Sequence, residues 1–104
     1  MRESAVERRL TEMLRKRGAL CLKFVSPGNP GVPDRIVLLP GGRVIFAELK
    51  AQDGRTAALQ ERQIARMRGL GADVRVLKGV EQVRGFVEEV CCECDLSRIS
   101  TRNT

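Results

Sequence analysis

Three charged residues in the middle of the chain are of the types that hydrolytic metal sites use. Asp34 precedes one short apolar run, and Glu48 and Lys50 end the next. Carboxylate oxygens are hard ligands that suit Mg²⁺ or Mn²⁺, and a metal held by them lowers the pKa of bound water. A lysine beside them can orient the attacking water and stabilise a transition state that gains negative charge. These residues predict hydrolysis of a phosphodiester; an ordinary ion pair at a strand end is the alternative.

How these residues face one another depends on the turn that joins the two apolar runs. A two-residue turn at Gly41-Gly42 would place Asp34 opposite Leu49, with its side chain on the wrong face of the sheet. A three-residue turn that also includes Pro40 places Asp34 opposite Glu48, and opposed residues share a face. We therefore predict the three-residue turn, or an equivalent bulge.

Hydrophobic periodicity predicts the elements that position this hairpin. Apolar residues recur at helical spacing in three stretches, and four others read as strands. Thr56 can cap the middle helix, and the almost continuously apolar hairpin strands are typical of strands covered on both faces. The strand, helix and strand that follow form a βαβ unit, so the last strand should run parallel to its predecessor. We predict helices over 3–17, 57–68 and 80–90, and strands over 19–25, 36–39, 43–49 and 73–77.

The predicted order is α-β-β-β-α-β-α, an α/β fold with a mixed central sheet and helices on both faces. A chain of 104 residues, 42% of them apolar, is of a size that builds one core. We assign the domain to residues 1–92 and a polar, flexible tail to residues 93–104. No stretch resembles a signal peptide or a membrane span, which predicts a cytoplasmic location and no membrane partner.

The charge balance favours a polyanionic partner. Nineteen Lys and Arg residues against thirteen Asp and Glu residues give a net charge of +6. Phosphate contacts release counterions, and arginine binds phosphate through two hydrogen bonds at once. The basic surplus is therefore consistent with binding to nucleic acid, although a merely solvated surface would carry the same charge.

The cysteines do not indicate a metal site. They stand at positions 21, 91, 92 and 94, without the paired C-x-x-C spacing of a zinc ribbon, and the chain has no histidine. Free thiols in a reducing compartment are the interpretation that we adopt. A metal-binding cluster in the tail is the alternative, and thiol titration with and without zinc would distinguish the two.

Several motifs, taken in order, resemble those of the PD-(D/E)XK nuclease superfamily. They are Glu7, the run Gly31-Val32-Pro33-Asp34, the triplet Glu48-Leu49-Lys50, and Gln60. More narrowly, the chain resembles the stand-alone VRR-NUC (virus-type replication-repair nuclease) domains of phages and bacteria. The similarity covers nearly everything from residue 3 to residue 90, which implies a restriction-endonuclease-like fold.

The resemblance implies a divalent cation, Mg²⁺ or Mn²⁺, and no organic cofactor. Asp34 and Glu48 would be metal ligands, with the backbone carbonyl of Leu49 as a third. Lys50 would be the catalytic lysine.

The resemblance also extends the site beyond the hairpin. Glu7 resembles the first-helix glutamate that reaches the metal through water in related junction resolvases, although Glu3 matches a recurrent VRR-NUC glutamate as well. Gln60 resembles the glutamine that lies near the active site on the helix after the core motif. Basic residues that we expect to contact nucleic acid are Lys23, Arg35 and Arg55.

These similarities predict a structure-selective DNA endonuclease that acts on Holliday junctions or other branched DNA, working as a homodimer in a bacterial cytoplasm or, if phage-encoded, that of the host. A different class of function is a non-catalytic nucleic-acid-binding module on the same fold, which the basic surplus alone would support. A third is an interaction subunit whose tail thiols bind a partner.

Overall fold

The structure, a computed structural model, describes residues 3–102, with side chains described for residues 3–91. Its element order is the predicted α-β-β-β-α-β-α. Along the chain, the elements are α1 (Glu3–Lys16), β1 (Leu20–Lys23), β2 (Arg35–Leu38), β3 (Val44–Lys50), α2 (Ala58–Gly69), β4 (Val74–Lys78) and α3 (Gly79–Arg102).

The four strands form one mixed sheet in the order β1-β2-β3-β4. The pairs β1–β2 and β2–β3 are antiparallel, and β4 runs parallel to β3. The parallel pair confirms the predicted βαβ unit, in which α2 is the crossover between β3 and β4.

The turn between β2 and β3 has the predicted length. Leu39 donates its backbone N–H to the carbonyl of Arg43 (2.9 Å), so Pro40, Gly41 and Gly42 are the three residues left in the connection. Both glycines adopt a left-handed conformation, with φ of +94° and +92°, which side chains with a Cβ disfavour. The resulting register pairs residues 35 and 47 and therefore points residue 34 at residue 48.

Helices α1 and α3 cover one face of the sheet. In α1, Val6, Leu10 and Leu14 recur at helical spacing and are fully buried. They pack with alternate strand residues and with the apolar side of α3 in one core. The strand residues are Val37, Ile45, Ala47, Leu49 and Leu77, and those of α3 are Val83, Phe86, Val87 and Val90.

Helix α2 covers the other face only in part. Its buried residue is Ile64, and its Arg68 donates two hydrogen bonds to the carbonyl of Val74 in β4 (3.1 and 2.6 Å). A helix is about 10 Å wide, whereas four strands span roughly 15 Å, so one helix cannot shield them all. The prediction that the hairpin strands are covered on both faces is therefore wrong at Val44, which is 41% exposed, whereas Ile36, Leu38 and Phe46 are half-buried. Leu20 (51% exposed) and Leu22 (43%) of the neighbouring strand β1 also lie in solvent on this face.

Two details at the ends of helices differ from the predictions. Ala57, not Thr56, is the N-cap of α2, and the Thr56 hydroxyl instead donates to Glu61 Oε1 (3.0 Å). Helix α3 continues through Arg102, past the boundary that we set at residue 92. The side chains of residues 92–104 lie outside the described part, so the separate tail stays a prediction.

Two further predictions concern the membrane and the thiols. Within the described residues, no helix combines the length and apolar composition that a membrane crossing needs. Cys21 is a free thiol on β1, and Cys91 is buried in the core. Cys92 and Cys94 belong to the stretch whose side chains are not described.

Candidate active site

The candidate site lies where β2 and β3 separate. The backbone ladder between them ends at residues 35 and 47, and two side chains continue it. The backbone N–H of Asp34 donates to Glu48 Oε1 (3.2 Å), and the backbone N–H of Leu49 donates to Asp34 Oδ1 (3.3 Å). Each carboxylate thus accepts a hydrogen bond from the backbone N–H of the opposite strand, in place of a backbone carbonyl. This exchange holds the two carboxylates side by side.

Glu48 is a buried carboxylate with its partners in place. It is 2% exposed, and its Oε2 accepts from Gln60 Nε2 (2.7 Å) and lies 3.1 Å from Lys50 Nζ. A buried charge is costly unless it is paired and hydrogen-bonded, and here the lysine supplies the charge and the amides supply hydrogen bonds. The structure therefore brings Glu48, Lys50 and Gln60 together with Asp34, as the sequence predicted.

Gln60 connects helix α2 to the carboxylates. Its Oε1 accepts from the backbone N–H of Ala57 (3.1 Å), which caps the helix, while its Nε2 donates to Glu48. One amide therefore sets both the start of α2 and the orientation of the Glu48 carboxylate. This contact explains physically why a glutamine, which has both an acceptor and a donor, stands at this position.

The first turns of α2 also hold the loop that leads to Asp34. Gln63 Nε2 donates to the carbonyl of Pro30 (3.2 Å). Gly31 has φ of +90°, and a Cβ there would lie 2.9 Å from Leu59 Cγ, so the loop backbone packs directly on the helix. In the sequence, Gln63 belongs to no motif that would have revealed this contact.

The Asp34 carboxyl is costly to ionise in this setting. Burial raises the pKa of Asp34 to about 6, and the Glu48 carboxylate adds to the rise. The backbone N–H of Leu49 and the charge of Arg35 oppose it, while Glu3 raises the pKa further. A bound divalent cation would offset the cost of ionising Asp34 beside Glu48. The carboxylate oxygens of both residues are ligands that suit Mg²⁺ or Mn²⁺.

Few side chains at this site can serve as metal ligands. Among the described residues, no group of three or more His, Cys, Asp or Glu side chains is placed to hold a metal. Asp34 and Glu48 would therefore need further oxygen ligands from backbone, water or a substrate phosphate. Mg²⁺ is usually bound in this way, by one or two carboxylates with water and phosphate.

Three of the residues predicted from sequence lie away from this pair. Strand alternation puts Arg35 and Lys23, which oppose each other, on the face of the sheet that α1 covers. Arg35 is paired with Glu7 of α1, its side chain is only 11% exposed, and its buried Nε has no hydrogen-bond partner among the residues that the structure describes. Arg55 is exposed in the loop after β3. Glu7, Arg35 and Lys23 thus lie on the opposite face of the sheet from the two carboxylates, and of these the charge of Arg35 still acts on Asp34.

Comparison with known proteins assigns the fold and the chain to a family. The chain is 47% identical over 77 residues to "Putative nuclease p44" of Acyrthosiphon pisum secondary endosymbiont phage 1, covering 74% of this chain and 83% of the phage protein. A solved VRR-NUC domain superposes with a TM-score of 0.75 at 30% identity, covering 83% of this chain and 94% of that domain. The chain belongs to the VRR-NUC nuclease family.

A second solved VRR-NUC domain protein shares the fold, with a TM-score of 0.65 at 15% identity over 85% of this chain and 86% of its own. No protein-family model matches the chain. The resemblance drawn from the sequence motifs is thereby confirmed, and so is the restriction-endonuclease-like order of elements. This VRR-NUC chain is a nuclease domain by family.

Proposed function

We propose that this VRR-NUC domain is a metal-dependent DNA endonuclease whose catalytic groups are Asp34, Glu48 and Lys50. The observation that carries the proposal is the exchange of hydrogen bonds by which the Asp34 and Glu48 segments hold both carboxylates at one point. Buried carboxylates side by side raise the pKa of Asp34, which is unfavourable for a structural site and useful for a metal site. DNA suits the net charge of +6.

Asp34 and Glu48 would hold Mg²⁺ or Mn²⁺, with the Leu49 carbonyl as a third ligand. A bound cation would supply an acidified water and neutralise charge that develops on the phosphate. Lys50 places its ammonium beside Glu48 Oε2, where it can hydrogen-bond the attacking water or a phosphate oxygen. Gln60 holds Glu48 in the orientation that presents it to the metal.

The first helix contributes an acidic residue, for which Glu3 and Glu7 are the candidates. The field of Glu3 reaches Asp34 and raises its pKa, whereas Glu7 is paired with Arg35 on the other face of the sheet. The charge effect of Glu3 on Asp34 and the pairing of Glu7 with Arg35 favour Glu3 as the acid that acts near the metal. Glu7 would reach it only after releasing Arg35, and that release would leave a buried guanidinium without its partner.

A cleavage assay on a panel of DNA structures tests this function. We expect purified protein to cut labelled branched DNA, such as a four-way junction or flap, with Mg²⁺ or Mn²⁺, and to leave it intact in EDTA. Duplex and single strands of the same sequences are the matched controls for structure selectivity. Binding without cleavage in either metal would instead support the non-catalytic module.

We also propose that two copies of the domain pair through the exposed apolar face of the sheet, the Leu20–Leu22–Val44 face. These side chains lie on the face that α2 leaves uncovered. Copies that each carry a charge of +6 repel, so the uncharged patch of Leu20, Leu22 and Val44, at the end of this face away from Glu48 and Lys50, offers the least costly approach. A two-fold pair would place two active sites on one branched substrate.

The variant Leu22→Lys tests the pairing, because it would bury a charge without a partner in the proposed interface. We expect the wild type to have twice the chain mass by light scattering, and Leu22→Lys to have the mass of one chain at the same concentration. Leu70→Lys is the matched control, because Leu70 is 84% exposed at the end of α2. A Leu22→Lys variant that still pairs would contradict this interface.

A further inference from the structure

A groove runs beside the active site between α2 and β4. It has a volume of about 470 Å³, and its lining does not include Asp34 or Glu48. Its walls are apolar at Ile64, Ala65 and Val76, and a second hollow of about 340 Å³ continues it past the start of α3. Both hollows share Lys78, so the two form one track along the edge strand.

Lys78 places a positive charge one strand away from the catalytic lysine. In the parallel register, Lys78 is the direct partner of Lys50, and the two side chains share a face. Lys50 is neutralised by Glu48 at 3.1 Å. Among the described residues, the Lys78 ammonium makes no ion pair or hydrogen bond, and the backbone N–H of Lys78 donates to Gln82 Oε1 (2.8 Å).

The other charges around the groove do not neutralise Lys78. Arg68 is itself a cation, and it donates two hydrogen bonds to the carbonyl of Val74. Glu61 is exposed and accepts from the Thr56 hydroxyl, and the Glu81 side chain is 88% exposed and directed to Arg84. Exposed carboxylates are screened by water and salt, so an anion can approach Lys78.

The two sides of the active site differ in what they offer a DNA strand. A DNA strand carries one phosphate per roughly 3.4 Å of helix axis, and neighbouring β-strands lie about 4.8 Å apart. The phosphates that flank the scissile one would therefore lie over the β-strands on either side of the active site. Towards β1, the neighbour of Asp34 is Phe24, which packs its ring on Phe46. Towards β4, the neighbour of Lys50 is Lys78. Of these two neighbours, Lys78 is the one whose charge can bind a phosphate, so the β4 side suits the DNA backbone better.

We propose that the DNA strand continues from the active site into this groove, with Lys78 binding a phosphate within one or two nucleotides of the scissile one. Ala65 and Val76, which are not buried, would contact the sugar and base edges beside that phosphate. The inference rests on the proposed nuclease function for the direction of the strand. Its binding step does not need cleavage to occur.

The test measures DNA binding in EDTA, where no cleavage is possible, with a fluorescent single-stranded oligonucleotide over a range of salt concentrations. We expect Lys78→Ala to weaken binding about 3- to 10-fold and to make the slope of log K against log salt less negative by about 0.7. Lys78→Arg should keep both values near those of the wild type. With Mg²⁺ or Mn²⁺ present, Lys78→Ala should raise KM and leave kcat within about twofold.

Lys16→Ala is the matched control, because Lys16 is an exposed lysine in the last turn of α1, and that helix covers the opposite face. If Lys78→Ala has an unchanged DNA affinity and salt slope, with its melting temperature and cleavage intact, then the groove does not bind the DNA strand through Lys78. The proposed nuclease function would not be affected by that result. A wild type that never cleaves, but whose DNA binding depends on Lys78, would overturn the nuclease function and leave the groove standing.

Discussion

Replacing Asp34 by Asn, Glu48 by Gln or Lys50 by Ala is expected to lower DNA cleavage by on the order of 10³-fold each. Each change removes a ligand or a charge that acts on the transition state, and such groups are worth about 10²- to 10³-fold or more. For the Asp34 and Glu48 variants, DNA binding in EDTA should stay within about threefold of the wild type, because a carboxylate does not contact phosphate favourably. Single-turnover cleavage of the preferred DNA structure, beside a binding titration, measures both quantities.

Two matched variants separate catalysis from charge. Asp53→Asn removes an exposed carboxylate from the loop after β3, and Lys16→Ala removes an exposed lysine; both should cleave at close to the wild-type rate. Glu48→Gln leaves the ammonium of Lys50, 17% exposed, without its anion, so a thermal melt must show that the variant remains folded. Full cleavage by a folded Glu48→Gln variant would refute the assignment.

The metal-free protein is expected to lose stability as the pH rises from about 4 to about 7, through the Asp34 carboxyl. Its pKa is raised from 3.8 to about 6 in the folded state, so the folded chain binds more protons than the unfolded chain in this range. Stability therefore falls as pH rises through the folded pKa. Since Asp34 is only partly buried, we expect a loss on the order of 1–2 kcal/mol, less than the full shift implies.

Urea unfolding in EDTA at pH 4 and pH 7.5 measures this effect. Asp34→Asn keeps an acceptor for the Leu49 N–H but cannot ionise, so it should be more stable than the wild type by about 1–2 kcal/mol at pH 7.5 and nearly equal at pH 4. Other groups, such as Asp73 with its lowered pKa, cancel in this difference. Added Mn²⁺ should stabilise the wild type and not the variant. A variant that is less stable at pH 7.5 would contradict this account of the pair.

The same residue would then both destabilise the apo fold and perform the chemistry. Active sites commonly carry such a cost, because charges held close together for a ligand repel when the ligand is absent. Here the repulsion is confined to one point of the sheet. The hairpin register, the capped helix α2 and the core under α1 and α3 hold the carboxylates there.

Much of the hairpin was predictable because strand geometry is local. Side chains alternate with a period of two, so the parity of the turn decides which face Asp34 occupies. Pro40, Gly41 and Gly42 predict a three-residue connection, and the observed register agrees. Order and type of the elements were predictable in the same way, because apolar periodicity reports which face of each element is buried.

Coverage of the sheet was less predictable. Continuous apolar runs predicted strands covered on both faces, yet α2 lies over β4 and leaves Leu20, Leu22 and Val44 exposed. A run of apolar residues reports that its side chains avoid water, but it does not identify which partner covers them. A second chain would satisfy the same pattern as a helix of the same chain.

From the sequence alone came the candidate catalytic residues Asp34, Glu48 and Lys50, their shared face, and the family resemblance, because these depend on residue type, spacing and strand parity. Only the tertiary structure decided that Gln60 reaches Glu48, that Gln63 and Leu59 hold the loop before Asp34, and that Glu7 turns to Arg35. Those contacts join elements distant in the chain. Their geometry depends on how α1 and α2 pack on the sheet, which no local pattern encodes.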